Sequence, residues 1–329
     1  MRRIVVLLVI TSTFFAAPLL AQGATKDERK FDKSGTMSVD ERKGEPITFL
    51  FDVPYAKSDN PRHRLDVYLP KGRATEELPV IVFIHGGGWV HGDKSDGAGR
   101  LMPFLRSGQY AGVSIGYRLS GEAQWPAQIH DSKAAIRWVR ANAAKYGFDA
   151  DHIGVLGRSA GAHLALMLGV SDDVPELEGD IGPYRGVSSK VQGVANFFGV
   201  SEIMAIIGQP SDIDRTQANA PEAMLIGGLL REYTDKAKAA SPITYITPND
   251  APVLTIHGTE DRTVPYDQAV RIDAVLRNTG VPSYFVIVKG AGHGNFNTVA
   301  DVRVKAFFDK YLRENIVPVS TATIENWKP

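Results

Sequence analysis

Residues Ile153–Leu168, IGVLGRSAGAHLALML, pass from an apolar strand-like run into an apolar helix-like run through Gly157-Arg158-Ser159-Ala160-Gly161. The two glycines let a strand and a helix approach closely while the serine between them occupies a strained turn. A helix starting directly behind Ser159 also favours negative charge that develops there. The same pattern has a plainer reading as a tight turn, so its neighbours decide what it means.

Those neighbours repeat one theme. PVIVFIH (Pro79–His85) is a continuous apolar run of the kind buried on both faces of a parallel sheet, and YAGVSIGY (Tyr110–Tyr117), VQGVANFFG (Val191–Gly199), PVLTIHG (Pro252–Gly258) and YFVIVKG (Tyr284–Gly290) repeat it. RLDVYLP (Arg64–Pro70) alternates like a strand. Between these runs, Pro126–Tyr146 reads as a helix, with Ile129, Ser132, Ile136, Val139 and Ala143 on one face and Pro126 suited to the first turn. Alternating strands and helices predict an α/β fold: a mostly parallel central sheet with helices on both faces and a functional site at the carboxyl ends of the strands. Ser171–Arg185 and Ser201–Asp250, the latter with a helix-like piece at Pro221–Arg231, are inserts expected to form a partial lid.

Each motif that carries chemistry follows a strand. HGGGW (His85–Trp89) presents backbone N–H groups without side chains in the way, which is what a developing oxyanion requires. Gly87 and Gly88 are assigned to that oxyanion hole, completed by Ala160. A dinucleotide-binding loop is the rival reading, and it fails because His91 stands where a third glycine is needed. A serine hydroxyl needs a base, and the base needs an acid to hold its tautomer. His293 in GAGHGNF and Asp261 in HGTEDRTVP supply them, in the chain order Ser, Asp, His. Glu260 is the alternative acid. His257 and His163 read as packed, hydrogen-bonded imidazoles, His85 as a brace for the glycine loop and Trp138 as core. Trp89 and Trp125, beside site loops, are expected to line a substrate pocket. No zinc spacing is recognised around His85 and His91, and no acid pair suggests a carboxylate dyad.

Composition bounds the rest. With 329 residues, 43% of them hydrophobic, the chain has material for one large core. Arg2-Arg3, an apolar run and Ala21 read as a secretory signal peptide over residues 1–21, with an uncleaved anchor as the competing reading. Cleavage there removes two arginines and no acid, changing a formal charge of 0 to −2, which leaves no electrostatic footprint for nucleic acid or an anionic membrane. The absence of cysteine excludes disulfides, thiol nucleophiles and thiolate metal sites. Residues 22–45 form a charged leader, 46–315 the catalytic domain and 316–329 a C-terminal tail. The mature chain is expected to be periplasmic or secreted, without stable membrane insertion.

At HGGGW, GYRLS, DSKAAIRWVRANAAKYG, GRSAGAHLA, SPITYI, HGTEDRTVP and KGAGHG the chain resembles the α/β-hydrolase superfamily. Within it, the sequence is most similar to the secreted carbohydrate-esterase-like group typified by feruloyl and acetylxylan esterases, near the hormone-sensitive-lipase-like esterases. The resemblance implies an α/β-hydrolase fold, a Ser159-His293-Asp261 triad, an oxyanion hole at Gly87, Gly88 and Ala160, and no cofactor or metal. It also implies hydrolysis of short-chain or aromatic acyl esters on a small molecule or carbohydrate. Asp261 is favoured over Glu260 by its spacing to Val264-Pro265. The family usually carries Asp or Glu before the nucleophile and Gly-Gly after the alanine, where this chain has Arg158 and Gly161-Ala162. GxSAGAH also resembles arylformamidases, so an arylformamidase or small peptidase with the same triad stays open, as does a non-catalytic binding homologue.

Overall fold

A computed structural model describes residues 38–40, 46–72, 77–172, 174–294, 296 and 298–325. The segment read as a signal peptide and most of the charged leader lie outside the described residues. Nine strands are present among the described residues: β1 (Ser38–Asp40), β2 (Ile47–Pro54), β3 (Arg64–Pro70), β4 (Leu78–Ile84), β5 (Ala111–Ile115), β6 (Phe148–Arg158), β7 (Gly193–Phe197), β8 (Val253–Gly258) and β9 (Ser283–Val288). They form one sheet in the order β1-β2-β3-β5-β4-β6-β7-β8-β9. The first three strands pair antiparallel, β3 pairs antiparallel with β5, and the six strands from β5 to β9 along the sheet are parallel. The chain order reverses around β4, and the carboxyl ends of β4 and β6 meet there, where open α/β sheets place their sites.

The α-helices among the described residues are α1 (Gly97–Leu105), α2 (Ala127–Ala141), α3 (Ala143–Tyr146), α4 (Ala160–Val170), α5 (Pro175–Glu178), α6 (Pro221–Ile226), α7 (Thr234–Ala239), α8 (Asp267–Thr279) and α9 (Thr298–Leu312). Period-2 alternation explains why β4 is apolar throughout. Val80, Val82 and Ile84 join a core with Ile136 of α2, Leu164 of α4 and Ile272 of α8. Ile81 and Phe83 face the opposite core, built from Leu101 and Phe104 of α1 and Phe307 and Phe308 of α9. Helix α4 is buried along its whole length, as an apolar helix with no polar face must be.

Several boundaries differ from the sequence reading. The long helix expected over 126–146 divides at Asn142 (φ −103°, ψ 11°), whose side-chain amide donates to the Trp138 carbonyl at 2.9 Å and competes with the continuing ladder. The helix-like insert stops at Ile226 because Gly227 takes a left-handed cap with φ 85°. The leader carries an unforeseen edge strand, β1, and β2 was also not anticipated. In the tail, Ile324 is buried, donates to the Ile287 carbonyl at 2.8 Å and accepts from Lys289 N–H at 3.1 Å, so the tail covers the edge of β9.

The strand-to-helix turn depends on close backbone approach. A Cβ on Gly161 would press on the Ile84 and His85 carbonyl oxygens, and one on Gly157 on the Gly161 carbonyl oxygen. Backbone cannot move aside as a side-chain tip does. Gly161→Ala is therefore expected to lower unfolding stability by about 1–3 kcal/mol, read as a lower urea midpoint at unchanged slope. Wild-type stability in that variant would mean that α4 does not seat against β4.

Candidate active site

Ser159 sits where β6 passes into α4, at φ 54° and ψ −123°, a strained conformation for a residue with a Cβ. Its N–H donates to the Phe197 carbonyl at 2.9 Å, and its carbonyl accepts the first α4 bond, from His163 N–H, at 3.0 Å. The turn is thus fastened on both sides, to β7 and to the helix.

Asp261 and His293 lie on the loops after β8 and β9. His293 Nδ1 is 2.7 Å from Asp261 Oδ2. Asp261 Oδ1 accepts from Thr263 and Val264 N–H, both at 2.9 Å. Burial alone would raise this carboxyl, but hydrogen bonds from His257 and His293 outweigh it and hold the group well below the ordinary carboxylate range. An ionised carboxylate only accepts, so His293 Nδ1 carries the proton in this contact. Glu260, the alternative acid, is exposed, while Asp261 is buried against the imidazole.

Sequence reasoning treated His257 as packing alone and missed its contact with the acid. Its Nε2 lies 2.8 Å from the Val264 carbonyl oxygen and 3.3 Å from Asp261 Oδ2. A carbonyl accepts only, so Nε2 is the protonated nitrogen, and it directs that proton toward the carboxylate as well. Phe198 was missed too. It has φ 47°, and its ring lies 4.3 Å from that of His293. The cue for His257 was its spacing of four from Asp261 at a strand end; nothing in the sequence singled out Phe198.

Gly87, Gly88, Ala160, Ser159 and His293 line one cavity of about 310 Å³. Gly87 and Gly88 have φ 109° and 58°, so the loop after β4 turns in a conformation that favours glycine. His85 braces it from below, stacked on Tyr117 at 4.3 Å with Nδ1 at 2.8 Å from the Gly86 carbonyl oxygen. The insert after β7 closes one side through Ile213, Pro221 and the buried Arg215–Glu222 pair, whose charged groups approach to 3.4 Å. Ser171–Arg185 does not line this cavity. It packs on α2 instead, because the buried Lys133 and Arg137 require Glu178, at 2.6 and 2.7 Å.

The two tryptophans divide. Trp89 borders the cavity, yet its ring is buried and its Nε1 donates to His163 Nδ1 at 3.2 Å. Trp125, expected in the pocket, is a core residue: it is absent from the cavity lining, its ring stands against that of His163 at 5.6 Å, and its N–H donates to the Leu225 carbonyl. His163, fully buried, donates from Nε2 to the Ala240 carbonyl at 2.7 Å.

The mostly parallel sheet, the strand–turn–helix serine and the loops after its neighbouring strands define an α/β-hydrolase. The BD-FAE family model matches residues 65–276, and the chain belongs to that family. A TAP-like protein model matches residues 233–323. The chain is 32% identical to Esterase LipC of Mycobacterium tuberculosis over 72% of its own length and 58% of that protein's, so it spans little more than half of this relative. Among solved structures, a truncated carbohydrate esterase from gut microbiota aligns with a TM-score of 0.72 at 36% identity, covering 80% of this chain and 95% of that one. A bifunctional GH43-CE protein of Bacteroides eggerthii aligns with a TM-score of 0.74 at 36% identity, covering 80% and 35%.

Burial pushes His163 down from 6.5 to about 4. Between those values the unfolded chain binds a proton that the folded chain does not. The stability contributed is therefore complete above pH 6.5 and lost as pH falls toward about 4. In His163→Gln the slope of unfolding free energy against pH across this window is expected to be shallower by up to about 1.4 kcal/mol per unit. An unchanged slope would show that His163 is protonated alike in both states.

Proposed function

We propose that this protein is a serine carboxylesterase that hydrolyses short-chain or aromatic acyl esters, with acyl groups on carbohydrate as the substrate class. The observation that carries the reading is the convergence of the strained Ser159, the Asp261-held His293 and the N–H-bearing loops of Gly87, Gly88 and Ala160 on one cavity. The resemblance to an esterase and to two carbohydrate-esterase structures supports it. Export through residues 1–21 belongs to the same reading and is supported by sequence alone. No helix among the described residues is long and apolar enough to cross a membrane.

In this mechanism His293 Nε2 takes the Ser159 proton as Oγ attacks the ester carbonyl. The tetrahedral oxyanion rests on the Gly87, Gly88 and Ala160 amides. Collapse breaks the bond to the alcohol, which leaves with the proton from His293, and water activated by the same nitrogen then releases the acid. Asp261 holds the imidazole throughout, and each lost oxyanion donor costs about 2.7–4 kcal/mol of barrier.

Ser159→Ala is expected to fold normally and to lose about 10³–10⁶-fold in kcat on 4-nitrophenyl acetate, because the covalent route disappears. A folded variant with near-normal turnover would sink the assignment. The cavity, at about 310 Å³, stands at the small end for ligand pockets. The kcat/KM for 4-nitrophenyl acetate or butyrate is accordingly expected to exceed that for the palmitate ester by about 100-fold or more. Preference for palmitate would contradict the short-acyl reading.

A further inference from the structure

Ser159 also borders a second cleft, of about 410 Å³, on its other side. Gly87, His91 and His293 are common to both spaces, so a group in either one is beside the reacting atoms. The two differ in chemistry. Val200, Ile213 and Val264 make the first largely apolar, whereas the second is bordered by Arg100, Arg158 and Asp96.

Arg158 is the residue at which this chain departs from the acidic residue usual before the nucleophile. It lies at the end of β6, with its guanidinium 5.2 Å and 5.0 Å from the ring centres of Phe197 and Phe198 and its Nη2 donating to the Gly294 carbonyl at 2.6 Å. Aromatic faces and a carbonyl hold the fork in place beside the loop of His293. Arg100 reaches the same cleft from α1. Burial, and then the charge of Arg100, pull Arg158 down to about 9, which leaves it a cation at neutral pH. The opposing acids are Asp96, exposed at the cleft, and Asp301 of α9, whose carboxyl burial pushes up despite Arg158 and Arg100. Two guanidiniums that border one cleft beside a nucleophile offer an incoming anion donors from two elements, in addition to the contacts they already make. A guanidinium matches a carboxylate through paired N–H···O bonds, and partial burial strengthens such a contact.

We propose that the cleft beside Arg158 and Arg100 receives a carboxylate carried by the ester substrate. The proposal rests on the esterase reading and narrows it to acidic esters. The carboxylate has two possible sources: the acyl part, as in a half-ester of a dicarboxylic acid, or the alcohol part, as in an acylated uronic acid. The recognition chemistry is the same for both.

Two substrate pairs separate the sources. One compares mono-4-nitrophenyl glutarate with 4-nitrophenyl pentanoate; the other compares an O-acetyl glucuronic acid with the matching O-acetyl glucose. In one pair the acidic member is expected to have a kcat/KM about tenfold higher or more, with the preference falling as ionic strength rises. The responding pair names the source. The preference is expected to fall to about one or below in Arg158→Gln and in Arg100→Gln, the second serving where the first fails to fold. Acid-to-neutral ratios at or below one in both pairs would overturn the proposal while 4-nitrophenyl acetate turnover upheld the esterase. So would a preference that survives both substitutions. Calorimetric binding of glutarate and glucuronate to wild type and Arg100→Gln reads the cleft without turnover. Binding of one of them, lost in the variant, is the expected result even if no ester were cleaved, and binding of neither would overturn it.

Discussion

The contact on which the site depends is backbone against backbone: the start of α4 resting on the end of β4. Gly161 makes it possible, since any Cβ there would collide with the Ile84 and His85 carbonyl oxygens. Gly86 answers from the other strand, where a Cβ would come within 2.8 Å of the Arg158 carbonyl oxygen. With β4 and β6 paired in parallel up to Ile84 and Gly157, the two loops that leave them are forced side by side. Ser159 has nowhere to go but into a positive-φ turn, and the glycine loop has nowhere to go but over it. The strain at Ser159 is thus sustained by sheet pairing and helix packing, which burial stabilises many times over.

Two buried imidazoles carry this order outward. His163, one turn along α4 from Ser159, accepts from Trp89 in the glycine loop and donates to Ala240 in the insert. A protonated ring could not accept from the indole, so burial that keeps the ring neutral also keeps the network intact. His257 does the corresponding service for Asp261, adding a fourth N–H direction to those of the two backbone amides and His293. An acid so surrounded holds its charge in a buried place.

Most of the parallel sheet was readable from the chain because its strands are apolar on both faces and bounded by turns. The pairs that form the site were readable as residues after strands, since the carboxyl ends of parallel strands converge. What escaped shares a cause. The strand β2 (ITFLFDVP) follows a charged stretch that hides it although Gly44 and Pro46 stand just ahead of it, and β1 is three residues long. Trp125 and Trp89 look equivalent in sequence, being aromatic and next to site loops. Only packing distinguishes them: both rings stand against His163, but Trp89 borders the cavity and Trp125 does not. The destination of Ser171–Arg185 was likewise hidden, because the buried charges of Lys133 and Arg137 that draw in Glu178 lie on a helix that reads as amphipathic.

The two residues that flank Ser159 stand under unequal constraint. Ala160, at the start of α4, is buried in the core and borders the cavity. Arg158, at the end of β6, borders a cleft together with Asp96, Arg100 and Phe198, its guanidinium resting against the Phe197 and Phe198 rings. A long cation fits there without disturbing the Ser159 turn, which is fixed by Phe197 and His163 backbone bonds that do not involve its side chain. The residue before Ser159 therefore sets the charge of one wall of the cleft while the Ser159 turn keeps its geometry.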